Sequence, residues 1–241
     1  MQMNVNFEIP FRLYARVAGF LYLIIIICGI GSEVFIRSNL VVSGDATITA
    51  ANILASPALF RLGFAADLVM LLCDVAIAVL FYVLFKPVSS TLALMAAMFR
   101  LTQAAILGGN LLNYYAASLI LNAGGALEGL NGAHLNQLAS LFLQLHSLGY
   151  DLGLFFFGIS CLILGYLVVR SGYFPPLLGY GLTAAGVVYL IGGFVRFVLP
   201  EWVDMVTPWY AVPLLTELMF CLYLLVIGVR TEHSVRSHAN R

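Results

Sequence analysis

The sequence predicts an all-α fold: a polytopic membrane helix bundle of six transmembrane helices, with both termini cytoplasmic and one short extracytoplasmic interfacial helix. Three observations carry this. Of 241 residues, 62% are hydrophobic and only 9% are charged, against about 25% charged in soluble domains. The apolar residues fall into six runs, each long enough at about 1.5 Å per residue to cross a hydrocarbon core of about 30 Å. The basic residues gather at alternate ends of those runs. A chain this apolar cannot cover a water-facing surface, and its length suits one membrane domain, residues 1–241, without a separate soluble one. The formal net charge of zero offers no basic face to nucleic acid. The partner that composition implies is the lipid bilayer.

The expected spans are 13–35, 58–85, 90–121, 135–169, 175–199 and 209–229. Arg12 and Arg16 precede the first, Val17–Ile30, as they would a signal peptide, but no small-x-small cleavage site follows, so it reads as a retained span. Asp45–Leu54 reads as a short interfacial helix with Asp45 as its cap. Ser56-Pro57 opens the second span and Lys86-Pro87 closes it. The third and fourth exceed what a bilayer needs, so they tilt or project as a hairpin joined by the Gly-rich segment Asn122–Gly132. Gly172 and Pro175-Pro176 separate the fourth from the fifth, and Thr207-Pro208 opens the sixth. Arg12, Arg16, Lys86, Arg170, Arg230, Arg236 and Arg241 then share one side, while Arg37, Arg61 and Arg196 lie on the other. An excess of positive charge on the inside places both termini in the cytoplasm. Trp202 and Trp209 fall at the opposite boundary.

An ionised side chain at mid-bilayer costs at least about 2.5–3.5 kcal/mol on insertion scales, so it faces the interior and takes a partner. Asp67, Asp74, Arg100, Asp151 and Glu217 are such residues. Gly63, Asp67 and Asp74 share a face of the second span, and Arg100, Gln103, Asn110 and Tyr114 share one of the third. In the fourth, Gln137, Gln144, Asp151, Gly158 and Gly165 repeat every seven residues: a polar seam that becomes a small-residue seam. Asp74 lies about 18 Å from the cytoplasmic end of its span and Arg100 about 17 Å from the same side. A short loop joins those helices, so an Asp74–Arg100 ion pair is expected, either a gate or a bridge that fixes register. Asp67 and Asp151 share a shallower level, where two carboxylates call for a cation; Arg61, Arg196 or a substrate cation could supply it. Asp67, Asp151, Glu217, Asn110 and His146 are the candidate ligand or ion site, in a cavity opening outward.

His146 stands alone among the expected spans, so a haem held by two histidines has no second ligand there. No metal and no cofactor is expected, and a hydrogen-bonded packing role suits the residue. Cys28, Cys73, Cys161 and Cys221 each lie in an apolar run, without a CxxC pair, as buried hydrophobes do. No HExxH, GxSxG, intramembrane GxGD or Walker sequence occurs, which points away from an enzyme. A weak repeat relates Ala18–Ile24 to Ala185–Ile191 and Asp67–Met70 to Glu217–Phe220; it would pair Asp67 with Glu217 about a pseudo-axis.

Several strings resemble a bacterial integral-membrane family known as domain of unknown function 4386. They are Arg16–Leu23, Leu59–Gly63 running to Asp67-Leu68, Phe99–Ile106, and above all Leu143-Gln-Leu-His-Ser-Leu-Gly-Tyr150 running to Gly158, with Leu164-Gly-Tyr166 and Arg170-Ser-Gly172. The resemblance covers nearly the whole chain and departs at Pro175-Pro176, where a basic residue is expected second. It implies a bacterial multi-span protein, in the cytoplasmic (inner) membrane, and no activity, and it places Asp67, Arg100, His146 and Tyr150 inside the family's motifs. Three functions fit the residues. One is binding or transport of a small solute or proton through an outward-facing polar cavity. The second is a non-transporting sensor or accessory subunit whose polar groups lock packing. The third is a membrane-embedded enzyme acting on a lipid or quinone, with His146 and Asp151 as acid–base partners.

Overall fold

The computed structural model describes residues 8–123 and 129–229. Arg230, Arg236 and Arg241, and the centre of the Asn122–Gly132 segment, lie outside the described residues. Every regular element among those described is helical, and six helices are long and apolar enough to cross a membrane. The protein is an all-α, multi-pass membrane protein.

The first span is longer than expected. Helix α1 (Glu8–Gly31) runs without a break through a π-helical segment, Ser32–Arg37, into α2 (Ser38–Leu40). The apolar helix therefore covers Phe11–Leu40. Gly44, at φ +80°, supplies the left-handed turn that follows. Helix α3 (Ala46–Ala55) then begins, with the Asp45 carboxylate accepting the Ile48 N–H at 2.9 Å. Helix α4 (Pro57–Phe85) starts on a proline, where no intrahelical N–H bond is missed. Helices α5 (Ser90–Leu121) and α6 (Gly132–Ser171) have 32 and 40 residues, or about 48 and 60 Å. Gly172, at φ +68°, ends α6 in the left-handed conformation. Helix α7 (Pro176–Val198) follows.

The sixth span begins nine residues ahead of its expected start. A 3₁₀ turn at Pro200–Trp202, α8 (Val203–Val206) and a second 3₁₀ turn at Thr207–Tyr210 lead into α9 (Ala211–Val226). Pro200 and Pro208 each sit in the first positions of a 3₁₀ turn, where proline is tolerated. Pro208 therefore redirects an existing helical path rather than opening one.

Contacts divide the chain into two compact units. The first comprises Met1–Leu23, Asp74–Gln103 and Leu154–Arg241; the second comprises Ile24–Cys73 and Ala104–Gly153. In the first unit, α6 and α7 meet through glycines. A Cβ added at Gly186 would lie 2.7 Å from the Gly158 carbonyl, and one at Gly165 would lie 2.7 Å from that of Gly179. Only glycine permits such backbone approach, the small-residue packing that associates helices in lipid. Phe174 and Phe81 each stand 5.8 Å from Phe220, and Tyr22 meets Phe220 edge-on. In the second unit, Phe60 and Tyr114 stack at 4.1 Å, and the Tyr114 hydroxyl donates to the Phe60 carbonyl at 3.1 Å. A side chain at Gly63 would displace that hydroxyl.

The seven-residue seam of α6 does not keep one face. Gln137 and Gln144 are exposed, Asp151 is half-buried, and Gly158 and Gly165 are buried. A straight α-helix drifts about 20° per heptad, so the four heptads from 137 to 165 turn the seam by about 80°. The buried outer face of α6 instead carries Ala139, Leu143 and His146.

Candidate functional site

Among the described residues a buried polar cluster lies in each unit; the first leaves Gln103 Oε1 without a partner, and the second leaves Asp67 Oδ1 and His146 Nε2. In the first unit, α4 supplies Asp74 and α5 supplies Arg100 and Gln103. The Arg100 guanidinium donates through Nε and Nη2 to Asp74 Oδ1, at 2.9 and 2.5 Å. Gln103 Nε2 donates to Asp74 Oδ2 at 3.3 Å. Arg100 is 2% exposed. The rings of Phe157, Tyr22 and Phe81 lie 4.8, 5.3 and 5.9 Å from its guanidinium carbon, a cation–π enclosure that offsets part of the desolvation. Glu217 on α9 is held differently: Tyr22 donates to Oε2 at 2.7 Å and Tyr189 to Oε1 at 2.5 Å. Both carboxylate oxygens are thereby matched.

In the second unit, the π-helical segment positions the basic residue. A π turn brings residues five apart onto one line. Arg37 Nη1 donates to Ser32 Oγ at 3.0 Å, five residues back, and to Asp67 Oδ2 on α4 at 2.7 Å. Its Nε donates to Glu33 Oε2 at 2.6 Å. The Glu33 side chain is 68% exposed, whereas those of Arg37 and Asp67 are 11% and 3% exposed. The Arg37 guanidinium also stands 5.9 Å from the Tyr150 ring centroid.

His146 on α6 faces the same aspartate. Asn110 Nδ2 on α5 donates to the His146 carbonyl at 2.7 Å, and His146 Nδ1 lies 3.3 Å from the Asn110 carbonyl oxygen. Gly149, one turn along α6, leaves room for the Asn110 amide. The Tyr114 ring is 5.2 Å from the imidazole. His146 Nε2 stands 4.0 Å from Asp67 Oδ2, too far for a hydrogen bond. Both His146 Nε2 and Asp67 Oδ1 are buried without a hydrogen-bond partner. An unmatched buried polar atom costs about 1–3 kcal/mol, and here two such atoms belong to neighbouring side chains.

Of the five candidate ligand residues, the structure brings Asp67, Asn110 and His146 together in the second unit. Asp151 belongs to the same unit, half-buried and engaged in an interaction of its own. Glu217 belongs to the first unit, between two tyrosines. Asp74 and Arg100 lie against each other. The cation that Asp67 requires is Arg37; Arg61 is exposed and donates to the Pro57 carbonyl of its own helix. Arg37 escapes sequence reading because it falls past the apolar core of the first span, at a place where a regular helix would set its phase differently. Among the described residues, no three His, Cys, Asp or Glu side chains gather as a metal ion would require.

The chain matches the family described as domain of unknown function (DUF4386) over residues 17–228. A protein of Archaeoglobus fulgidus described as uncharacterized is 30% identical over 128 residues, covering 53% of this chain and 63% of that protein. The chain thus spans less than two thirds of the length of that curated relative. No solved structure matches.

Proposed function

The chain belongs to the DUF4386 family, whose name assigns no activity, and on that premise we propose from the geometry that it binds a small polar solute or proton within the membrane. The binding pair is Asp67 and His146, with Asn110 fixing the imidazole and Arg37 balancing the carboxylate. The observation that carries this reading is the pair of unmatched atoms, His146 Nε2 and Asp67 Oδ1, in a cluster whose other members are matched. Glu33 supports access from outside: it touches Arg37 and is largely exposed, at the end of the first span that the basic residues assign to the outer face. Asp151 is a further acid of that approach. The protein sits in the cytoplasmic membrane with both termini inside, and α3 lies along the outer interface.

A second reading applies to the first unit. Arg100, Asp74 and Glu217 are matched by groups of the protein itself, which favours helix-locking there, as in a sensor or accessory subunit. A thermal-stabilisation screen of the purified protein against cations, amines, lipids and quinones tests the proposal. A ligand that raises Tm should lose its effect in Asp67→Asn and in His146→Gln. A ligand whose effect survives both changes binds elsewhere and refutes the assignment.

A further inference from the structure

We infer that the Asp67–His146 gap takes a small cation bearing at least two N–H donors, of the ammonium and primary-amine class, an inference that rests on the reading of that pair as the binding site. The argument is a census of donors and acceptors. Among the described residues, the group within hydrogen-bond range of His146 Nδ1 is the Asn110 carbonyl oxygen, 3.3 Å away. A carbonyl can only accept, so Nδ1 carries the hydrogen, and the neutral imidazole then presents a lone pair at Nε2. Asp67 Oδ1 is also an acceptor, while Oδ2 is occupied by Arg37 at 2.7 Å. Two acceptors on neighbouring groups are thus without a partner, and neither can satisfy the other.

A ligand matching both must donate twice. This excludes halides, carboxylates and carbonyl compounds, and it excludes quaternary ammonium ions, which have no N–H. A donor nitrogen about 2.8–3.0 Å from each of two acceptors, at the tetrahedral angle, holds them about 4.7 Å apart. His146 Nε2 stands 4.0 Å from the other oxygen of the Asp67 carboxylate, Oδ2, so the two groups lie close enough for one small donor to reach both. Charge selects among donors. Glu33 and Asp67 both contact the single guanidinium of Arg37, so acids outnumber the basic side chain among these three groups, which favours a monocation over water. The Tyr114 and Tyr150 rings beside His146 and Arg37 present faces that favour a cation. Potassium has nearly the size of ammonium but donates no hydrogen bond, and two ligand atoms are too few to replace its hydration shell.

The test follows the imidazole directly. Full-length protein with ¹⁵N-labelled histidine is titrated in nanodiscs, well above the usual pH range of imidazole protonation, with His146→Gln assigning the ring signals. Ammonium and methylammonium should move the His146 Nε2 resonance and raise Tm, whereas potassium and tetramethylammonium at equal ionic strength should not. Asp67→Asn should weaken the ammonium response about tenfold or more, as loss of a charged acceptor does. The contrast between ammonium and potassium needs only the unaltered protein, so poor folding of a variant does not remove the test. If the four cations act alike, or none acts, the ligand class is wrong. If none acts but acidification protonates Nε2 at a pH that Asp67→Asn changes, the class is wrong and the binding-pair reading survives. If the ring is insensitive to all of these, both are refuted.

Discussion

Replacing Asp74 by alanine should destabilise the protein far more than replacing Asp74 and Arg100 together by apolar residues. The reasoning starts from burial. The Arg100 side chain is 2% exposed and that of Asp74 3%, so neither has water to fall back on. Removing the aspartate leaves a guanidinium whose Nε and Nη2 lose the oxygen they share, and Gln103 Nε2 loses its acceptor as well. Breaking one partner out of a buried pair costs about 3–5 kcal/mol. The rings of Phe157, Tyr22 and Phe81 surround the cation before and after the change, so they offset none of this. A loss of about 3–5 kcal/mol corresponds to a fall in Tm of about 6–20 °C for a chain of this length, taking about 2–4 °C per kcal/mol. The double variant Asp74→Leu, Arg100→Met removes both charges at similar volume and should lie within a few degrees of the parent, or above it. Thermal unfolding of the purified protein, followed by intrinsic fluorescence, gives all corners of the cycle. A double variant as unstable as the sum of the single changes would show that shape rather than charge holds this site. A single change worth less than about 1 kcal/mol would show that Arg100 finds another acceptor, contrary to its enclosure.

The remaining predictions concern the groups around Glu217 and two glycines. Tyr22→Phe and Tyr189→Phe each strip one hydroxyl from Glu217 and should each lower stability by about 1.5–3 kcal/mol if the carboxylate is ionised; Glu217→Gln in either background should recover most of the loss, measured by the same unfolding assay. Gly165→Ala places a methyl 2.7 Å from the Gly179 carbonyl and should separate α6 from α7, with a loss in the about 1–3 kcal/mol range of overpacking. Gly109→Ala, on α5 with open space around the added carbon, should be neutral or stabilising by up to about 1 kcal/mol.

What could be read from the sequence depends on how local the determining contact is. Asp74 and Arg100 are found because a four-residue connection, Lys86–Ser89, joins their helices and because rise per residue sets their depths. Asn110 and His146 are found as buried polar residues, but their mutual hydrogen bonds are not, since they depend on how α6 rotates against α5. The seven-residue seam of α6 drifts with the helix, and the structure buries His146 while exposing Gln144. The pairing of Glu217 with Tyr22 spans 195 residues and leaves no periodic signal. Arg37 is hidden for a different reason. It follows the expected end of its span, and only a change of helical pitch sets it at hydrogen-bond distance from Asp67. The polar pair Ser32 and Arg37, five residues apart, is the one local trace of that change.

The π-helical segment therefore has a consequence for function as well as for phase. Arg37 divides its donors between an exposed acid on its own helix and a buried acid on α4, and the two acids are not equivalent. Glu33 can exchange its hydrogen bond for water at small cost, as exposed ion pairs do. Asp67 cannot, because its side chain is 3% exposed and its second oxygen is already unmatched. The guanidinium is thus tethered to the acid that needs it more, which leaves Oδ1, rather than both oxygens, open to a ligand. Arg37→Gln removes the neutralising charge while keeping a hydrogen-bond donor, so it raises the demand of this cluster for an external cation. In Asp74 and Arg100 the same two charged groups close on each other, with aromatic rings on the cation and a glutamine on the acid. An arginine that closes on its acid makes a lock, whereas one that leaves an acceptor open beside an unmatched imidazole is the arrangement on which the proposed binding rests.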